Sequence, residues 1–363
     1  MNSDNGLPNC DNRFAGVIES FYLETQEGLF FAVKGLEHPL DRMIAVLRYA
    51  PDPEKGDRKK DGKSYRRLYH FAEQERLIRS AFPQYLAFDR IFRTTLQSVP
   101  RSMVQRIYDP RLKLQELMKS SARSAIEEDT LAFMRLLQTE AQVPLSALGI
   151  TGSLLIGLHT EHSDLDVAVI GSEHCTKVYQ ALRRMLDAQS CAELRRFDSQ
   201  GINELFAQRV VDTYMPFSEF AKLEKRKVNQ GKFRGRTYFI RFIKREDEAG
   251  EIYGSLRYTP LERATVVASI ADDRDAIFTP CKYFLSDSRI LEGPQLSDLN
   301  EIASFRGRFC EQARTGELVY AAGTLERIEN NQGQIHHRLL LGNSPEDTLE
   351  SSSLGALELK GFE

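Results

Sequence analysis

The stretch "ITGSLLIGLHTEHSDLDVAVIG", residues 150–171, sets a Gly-Ser pair at 152–153, ten further residues, and then Asp164 and Asp166 at the head of an apolar run. That run reads as a strand whose side chains alternate between faces. Leu165, Val167 and Val169 share one face, and Asp164 and Asp166 share the other. Carboxylates that close repel, raise each other's pKa and cost stability unless a cation sits between them. Magnesium, a hard ion that takes oxygen ligands, is the natural resident. Upstream, "SALGI" has the length of a strand, Gly152-Ser153 follows as a tight turn, and "LLIGL" begins a short helix. Free backbone N–H groups at such a turn attract phosphate, and glycine lets the backbone approach it closely. A phosphate cradle beside paired carboxylates fits phosphoryl transfer assisted by metal ions, which depends on positioning and electrostatics more than on covalent participation.

Outward from this stretch the hydrophobic period divides the chain. After the strand, Ser172 is the candidate N-cap of a helix with Val178, Ala181, Leu182, Met185 and Leu186 on one face. Residues 73–140 read as helical scaffold, with Leu114, Leu117 and Met118 and then Leu131, Met134 and Leu137 at helical spacing, and with Pro83, Pro100 and Pro110 separating successive helices. From Phe14 to Phe71 the pattern is strand-like, and Asp61-Gly62 marks the tip of a hairpin. The mixed-sign run "DPEKGDRKKDGK" there reads as a solvated hairpin end in preference to a nucleic-acid contact. Beyond residue 251, short strands separated by turns suggest a small barrel or sandwich. The boundaries are therefore 1–71 β-rich, 72–144 helical, 145–248 an α/β (α+β) core, 249–343 a β-barrel-like domain and 344–363 a polar, flexible tail.

With 363 residues, 41% hydrophobic and 28% charged, the chain has globular composition and length for two or three domains. No apolar run reaches the roughly 20 residues of a membrane span, and the start "MNSDNGLPNC" has no secretory h-region. Cys10, Cys175, Cys191, Cys281 and Cys310 are scattered, which fits a reducing cytoplasm better than a disulfide framework. A net charge of -3 leaves any nucleic-acid contact to a local patch.

Gly152-Ser153, the ten-residue spacer and Asp164-Leu165-Asp166 resemble the signature of the DNA polymerase β-like nucleotidyltransferase superfamily. With "EKRKVNQGKFRGRTYFIRF" downstream, the wider stretch resembles a family of predicted prokaryotic nucleotidyltransferases. The resemblance implies a mixed sheet flanked by helices. It also implies magnesium-dependent transfer of a nucleoside monophosphate from a triphosphate, with release of pyrophosphate. The superfamily pattern further expects a third carboxylate on a later strand, yet "RTYFIRFI", 236–243, contains no acid and has Arg241 in its middle. Asp212 and Glu246 are the candidate substitutes, and Arg241 would hold a phosphate or a nucleic-acid backbone.

The basic run 222–236 carries Lys222, Lys225, Arg226, Lys227, Lys232, Arg234 and Arg236 against one acid, Glu224. It reads equally as a phosphate-binding strip and as a solvated helix end. His159 and His162 in the spacer read as loop residues, and His336-His337 carry no assigned chemistry. The stretch "SFRGRFCEQARTGELVYAAGTLERI" is weakly similar to an OB-type barrel, which makes Arg306, Arg308 and Phe309 candidates for nucleic-acid contact, with a purely structural or subunit-contact role weighed at least equally. The sequence thus points to a magnesium-dependent nucleotidyltransferase using Asp164 and Asp166, with Gly152, Ser153 and Arg241 on the nucleotide and RNA the favoured acceptor. The competing reading is a catalytically silent module that binds nucleotide or RNA.

Overall fold

The computed structural model describes residues 12–212, 215–250 and 252–352. Its first sheet has eight strands: β1 (Tyr22–Thr25), β2 (Phe30–Val33), β3 (Arg42–Pro51), β4 (Arg58–Lys60), β5 (Lys63–Arg67), β6 (Leu86–Asp89), β7 (Thr94–Pro100) and β8 (Val104–Tyr108). The order is β4-β5-β3-β2-β1-β8, with β7 bridging β3 and β6. Strict alternation in "RMIAVLRYAP" buries Met43, Ala45 and Leu47 completely and leaves Ile44, Val46 and Arg48 half-buried on the other face. Asp61 and Gly62 take positive φ, 48° and 75°, in the turn between β4 and β5.

The helical expectation over 73–140 needs correction in its middle. Only α1 (Phe71–Ala81) precedes a strand region spanning 86–108. Pairing with β3 and β1, about 50 and 80 residues away in sequence, stabilises β7 and β8, and short strands made by distant partners carry little local signal. Pro110 does not separate two helices. It opens α2 (Pro110–Lys119) at its first position behind the Asp109 cap, and Met118 is exposed rather than core.

α3 (Ala125–Ala141) starts on a Ser124–Glu127 capping box and buries Leu131, Met134 and Leu137. After it come β9 (Leu148–Ile150), α4 (Gly152–Leu155), β10 (Leu165–Ile170), α5 (Ser172–Ala188), β11 (Leu194–Arg195), α6 (Ser199–Arg209), α7 (Phe217–Arg226), β12 (Gln230–Phe233) and β13 (Arg236–Ile243). The central sheet is mixed, ordered β11-β12-β13-β10-β9, with β10 and β13 parallel. Gly171, at φ 100°, caps α5, one residue before the expected Ser172, and the predicted apolar face of that helix is buried.

Both faces of this sheet are covered. Leu165, Val167 and Val169 pack with residues of α3 and α5. On the reverse face Ala168, Ile170 and Ile243 join the core of the first sheet with Leu23, Val33 and Met43. Each buried Val, Leu, Ile or Met side chain of these faces contributes about 1.5–3 kcal/mol.

The last sheet comprises β14 (Leu256–Asp272), β15 (Cys281–Glu292), β16 (Leu299–Ser304), β17 (Leu318–Asn330), β18 (Ile335–Leu341) and β19 (Thr348–Ser352). β14 pairs with both β15 and β17, so the pairings run β14-β15-β16-β18-β17 and return to β14, with β16 and β18 the parallel pair. The whole is a mixed α and β architecture with several sheets. Part of the stretch expected to be flexible is ordered: β19 pairs with β17, and the buried Asp347 accepts the N–H groups of Gly342, Asn343 and Ser344 and the Arg263 guanidinium. The rest of that stretch, 353–363, lies outside the described residues, as does Cys10. Cys175, Cys191, Cys281 and Cys310 are free thiols, and no helix among the described residues is long and apolar enough to cross a membrane.

Candidate active site

Local geometry brings the Gly152 turn and the aspartates together. β9 pairs antiparallel with β10, and the Thr151 N–H donates to the Asp166 carbonyl at 3.0 Å, so the end of one strand lies against the start of the other. Gly152 takes φ 66°, and a β-carbon there would collide with the Asp166 carboxylate, so the position requires glycine on two counts. Gly152, Asp164 and Asp166 line one wall of a cavity of about 920 Å³. Ser153 is buried in α4 and is not among the lining residues. Because α4 is a single turn, what Gly152 presents to the cavity is the backbone of the turn rather than the end of a long dipole.

Asp164 has its pKa pushed up to about 6, first by burial and then by the like charge of Asp166, with Arg67, Lys232 and Arg58 acting in the opposite sense. In the parallel register Asp166 stands beside Phe239 and Ala168 beside Arg241. The strand next to the aspartates therefore presents Thr237, Phe239 and Arg241 to the cavity, with no carboxylate. The Arg241 guanidinium lies 5.1 Å from the Phe239 ring centroid and 3.8 Å from Glu19. Neither substitute acid joins the pair. Asp212 lines the cavity but is held by Arg306 at 3.2 Å, Arg308 at 3.5 Å and His70 at 3.3 Å. Glu246 sits in a turn after β13 and is not on the cavity wall. Among the described residues no group of three or more His, Cys, Asp or Glu side chains is arranged to hold a metal ion.

The basic run is dispersed rather than gathered into a strip. Lys222 pairs with Glu219, Arg226 with Glu317, Arg234 with Glu193 and Asp129, and Arg236 with Asp129. Lys227 is 1% exposed and bound to Glu224. From this run only Lys232 lines the cavity, donating to Thr237 at 3.1 Å. The charged hairpin is likewise not solvated throughout. Arg58 donates to the Leu158 carbonyl and the Ser163 hydroxyl, and Lys60 to the Ile156 carbonyl, which fastens the spacer loop. His159 and His162 lie off the cavity wall, as do His336 and His337. Arg306 and Arg308 are on the wall, whereas Phe309 is wholly buried in the core of the last sheet. Burial and the neighbouring cations Arg306 and Arg209 push Arg308 down to about 9.

Sequence reading missed the first sheet's share of this wall. Glu19, Lys34, Arg48 and Arg67 all face the cavity. Glu19 is buried, binds Lys34 at 2.6 Å and accepts the Gly35 N–H at 2.9 Å. The only local signal was the half-buried face of β3, which gives no hint of what it meets.

Residues 137–247 match the model of the nucleotidyltransferase domain family. An uncharacterized protein of Methanocaldococcus jannaschii is 26% identical over 332 residues, covering 90% of this chain and 95% of the relative. No solved structure matches.

Proposed function

We propose that this chain, whose residues 137–247 form a nucleotidyltransferase domain of the DNA polymerase β-like superfamily, transfers a nucleoside monophosphate from a triphosphate to an acceptor hydroxyl. The acceptor oxygen forms a bond to the α-phosphorus, the bond from that phosphorus to the bridging oxygen breaks, and pyrophosphate leaves. The observation that carries the reading is the side-by-side placement of Asp164 and Asp166 against the Gly152 turn on a cavity wall. Two half-buried carboxylates, the Asp164 one of raised proton affinity, are a donor set suited to magnesium, which would neutralise triphosphate charge when bound there. Gly152 offers its backbone to the phosphates, Arg241 and Lys232 add positive charge, and Ser153 holds the turn in α4.

A polynucleotide end, with RNA favoured, is the acceptor class we infer. Arg306 and Arg308 border the same cavity, and the half-buried Phe284 and Phe305 also line it. Guanidinium groups interleaved with aromatic rings suit a single strand, whose phosphates and bases need both. The returning circuit of strand pairings in the last sheet supports the OB-type barrel expected from its strand spacing. One observation favours a second reading, a silent nucleotide- or RNA-binding module: Phe239 occupies the place beside Asp166 where a third acid would sit.

Turnover separates the two. We expect label from α-labelled ATP, CTP, GTP or UTP to enter total RNA in the presence of magnesium, and the Asp164→Asn/Asp166→Asn variant to lose at least about 100-fold in rate. Binding of nucleotide without incorporation would establish the silent module instead.

A further inference from the structure

Arg67 ends β5, directly opposite Tyr49 of β3 in the antiparallel register. The pleat sends its neighbour Arg66 to the other face, where Asp52 holds it at 3.0 Å, while Arg67 turns to the cavity that Gly152, Asp164 and Asp166 line. Its guanidinium stacks on Tyr69 with 4.1 Å to the ring centroid. Its Nε is buried without a hydrogen-bond partner among the described residues. Burial opposes its charge, but Tyr49, Tyr69, Asp166 and Tyr22 around it hold the guanidinium above its ordinary value. A second unpartnered group lies on the same wall. Ser20 is 2% exposed, takes the left-handed conformation at φ 79°, and leaves its hydroxyl without a partner. Its carbonyl accepts the Thr151 hydroxyl at 2.7 Å, which fixes the residue preceding Gly152. Backbone strain at a non-glycine residue persists where surrounding structure over-determines it.

The two halves of this wall are also fastened to each other. The hairpin that delivers Arg67 at one end grips the spacer between Gly152 and Asp164 at the other, through Arg58 to the Leu158 carbonyl at 3.0 Å and Lys60 to the Ile156 carbonyl at 2.8 Å. Hence the hairpin that carries Arg67 is held directly against the spacer that leads to the aspartates. A half-buried guanidinium with its Nε unpartnered, on the wall of a cavity that a carboxylate pair also lines, matches a polyphosphate, whose oxygens accept from the guanidinium while the carboxylates engage its cation.

We propose that Arg67, from the first sheet and outside residues 137–247, is a triphosphate-binding residue of the site, with Ser20 positioning the turn that carries Gly152. The inference rests on the transferase reading above. It is tested by calorimetric binding of the α,β-methylene analogues of the four nucleoside triphosphates, with magnesium, to the full chain, and of the matching monophosphates. The wild type is expected to prefer triphosphate over monophosphate. Arg67→Gln should weaken the triphosphate about 10- to 100-fold and the monophosphate by less than about threefold, since a charge-assisted pair to the outer phosphates is lost. Arg67→Lys should restore only part of the preference, because a point charge replaces a bidentate fork. Equal losses for both ligands would mean that Arg67 only supports the fold and would overturn the proposal. So would an Arg67→Gln variant with unchanged preference, and in that case the transferase reading would stand. A wild type that binds none of the triphosphates would overturn both.

Discussion

At Gly152 a single missing atom decides the site, because a β-carbon would occupy the place of the Asp166 carboxylate while φ 66° is strained for every residue that has one. Gly152→Ala is therefore expected to displace Asp166, to cost about 1–2 kcal/mol in stability from the backbone alone, and to abolish nucleotide binding. Thermal unfolding and calorimetry measure the two effects separately. A variant that binds nucleotide like the wild type would show that the turn does not contact it. The aspartates themselves were legible in the sequence because alternation along one strand sets which side chains share a face. Glu19 and Arg67 were not, since their membership in the site depends on where another sheet docks.

Among elements, the segment entering β3 holds a pH-sensitive point remote from the cavity's aspartates. His38 accepts the Ile44 N–H at 3.2 Å through Nδ1, and its Nε2 is buried without a partner among the described residues. Burial and the Arg101 charge push its pKa down to about 3. The folded value thus lies below the unfolded value near 6.5. Between those values the unfolded chain binds a proton that the folded chain does not, so stability falls as pH drops from about 6.5 towards 3, by up to about 5 kcal/mol. Chemical denaturation at pH 7 and pH 4 is expected to show about 3 kcal/mol of this loss, and His38→Gln should reduce it. An equal acid loss in that variant would assign the effect to other groups. Elements with long internal periodicity, such as α3 and α5, were readable from sequence. β7 and β8 were not, because β7 pairs with β3 and β8 with β1, partners distant in the chain.

Across the whole molecule, the region that matches the nucleotidyltransferase domain model shares its sheet's second face with another unit. Ala168, Ile170 and Ile243 lie in the core of the first sheet, and Tyr22, Phe30, Tyr49 and Tyr65 of that sheet enclose Leu155, Ile156 and Leu158 of the turn and spacer. The last sheet is tied in by the buried Glu311, which accepts the Val228 and Asn229 N–H groups, and by the Arg226–Glu317 pair at 2.6 Å. An excised 137–247 fragment is accordingly expected to expose these faces, bind a hydrophobic dye and lack cooperative unfolding, whereas the full chain unfolds cooperatively. A fragment with a sharp thermal transition would show that the domain stands alone.

The sequence by itself determined the strand that carries Asp164 and Asp166, the turn at Gly152 and the buried faces of the helices beside them. These follow from the geometry of contiguous residues, for which the period of side-chain directions is intrinsic to the chain. Only the tertiary structure decided that the basic run would be spent on ion pairs, as when Arg226 meets an acid 91 residues away. It likewise decided that Asp212 would face Arg306 and Arg308, that Phe239 would stand beside Asp166, and that Arg67 would close the wall. Charge partners and cavity walls are made by contacts between distant segments, and the spacing of residues along the chain does not encode which segments will meet.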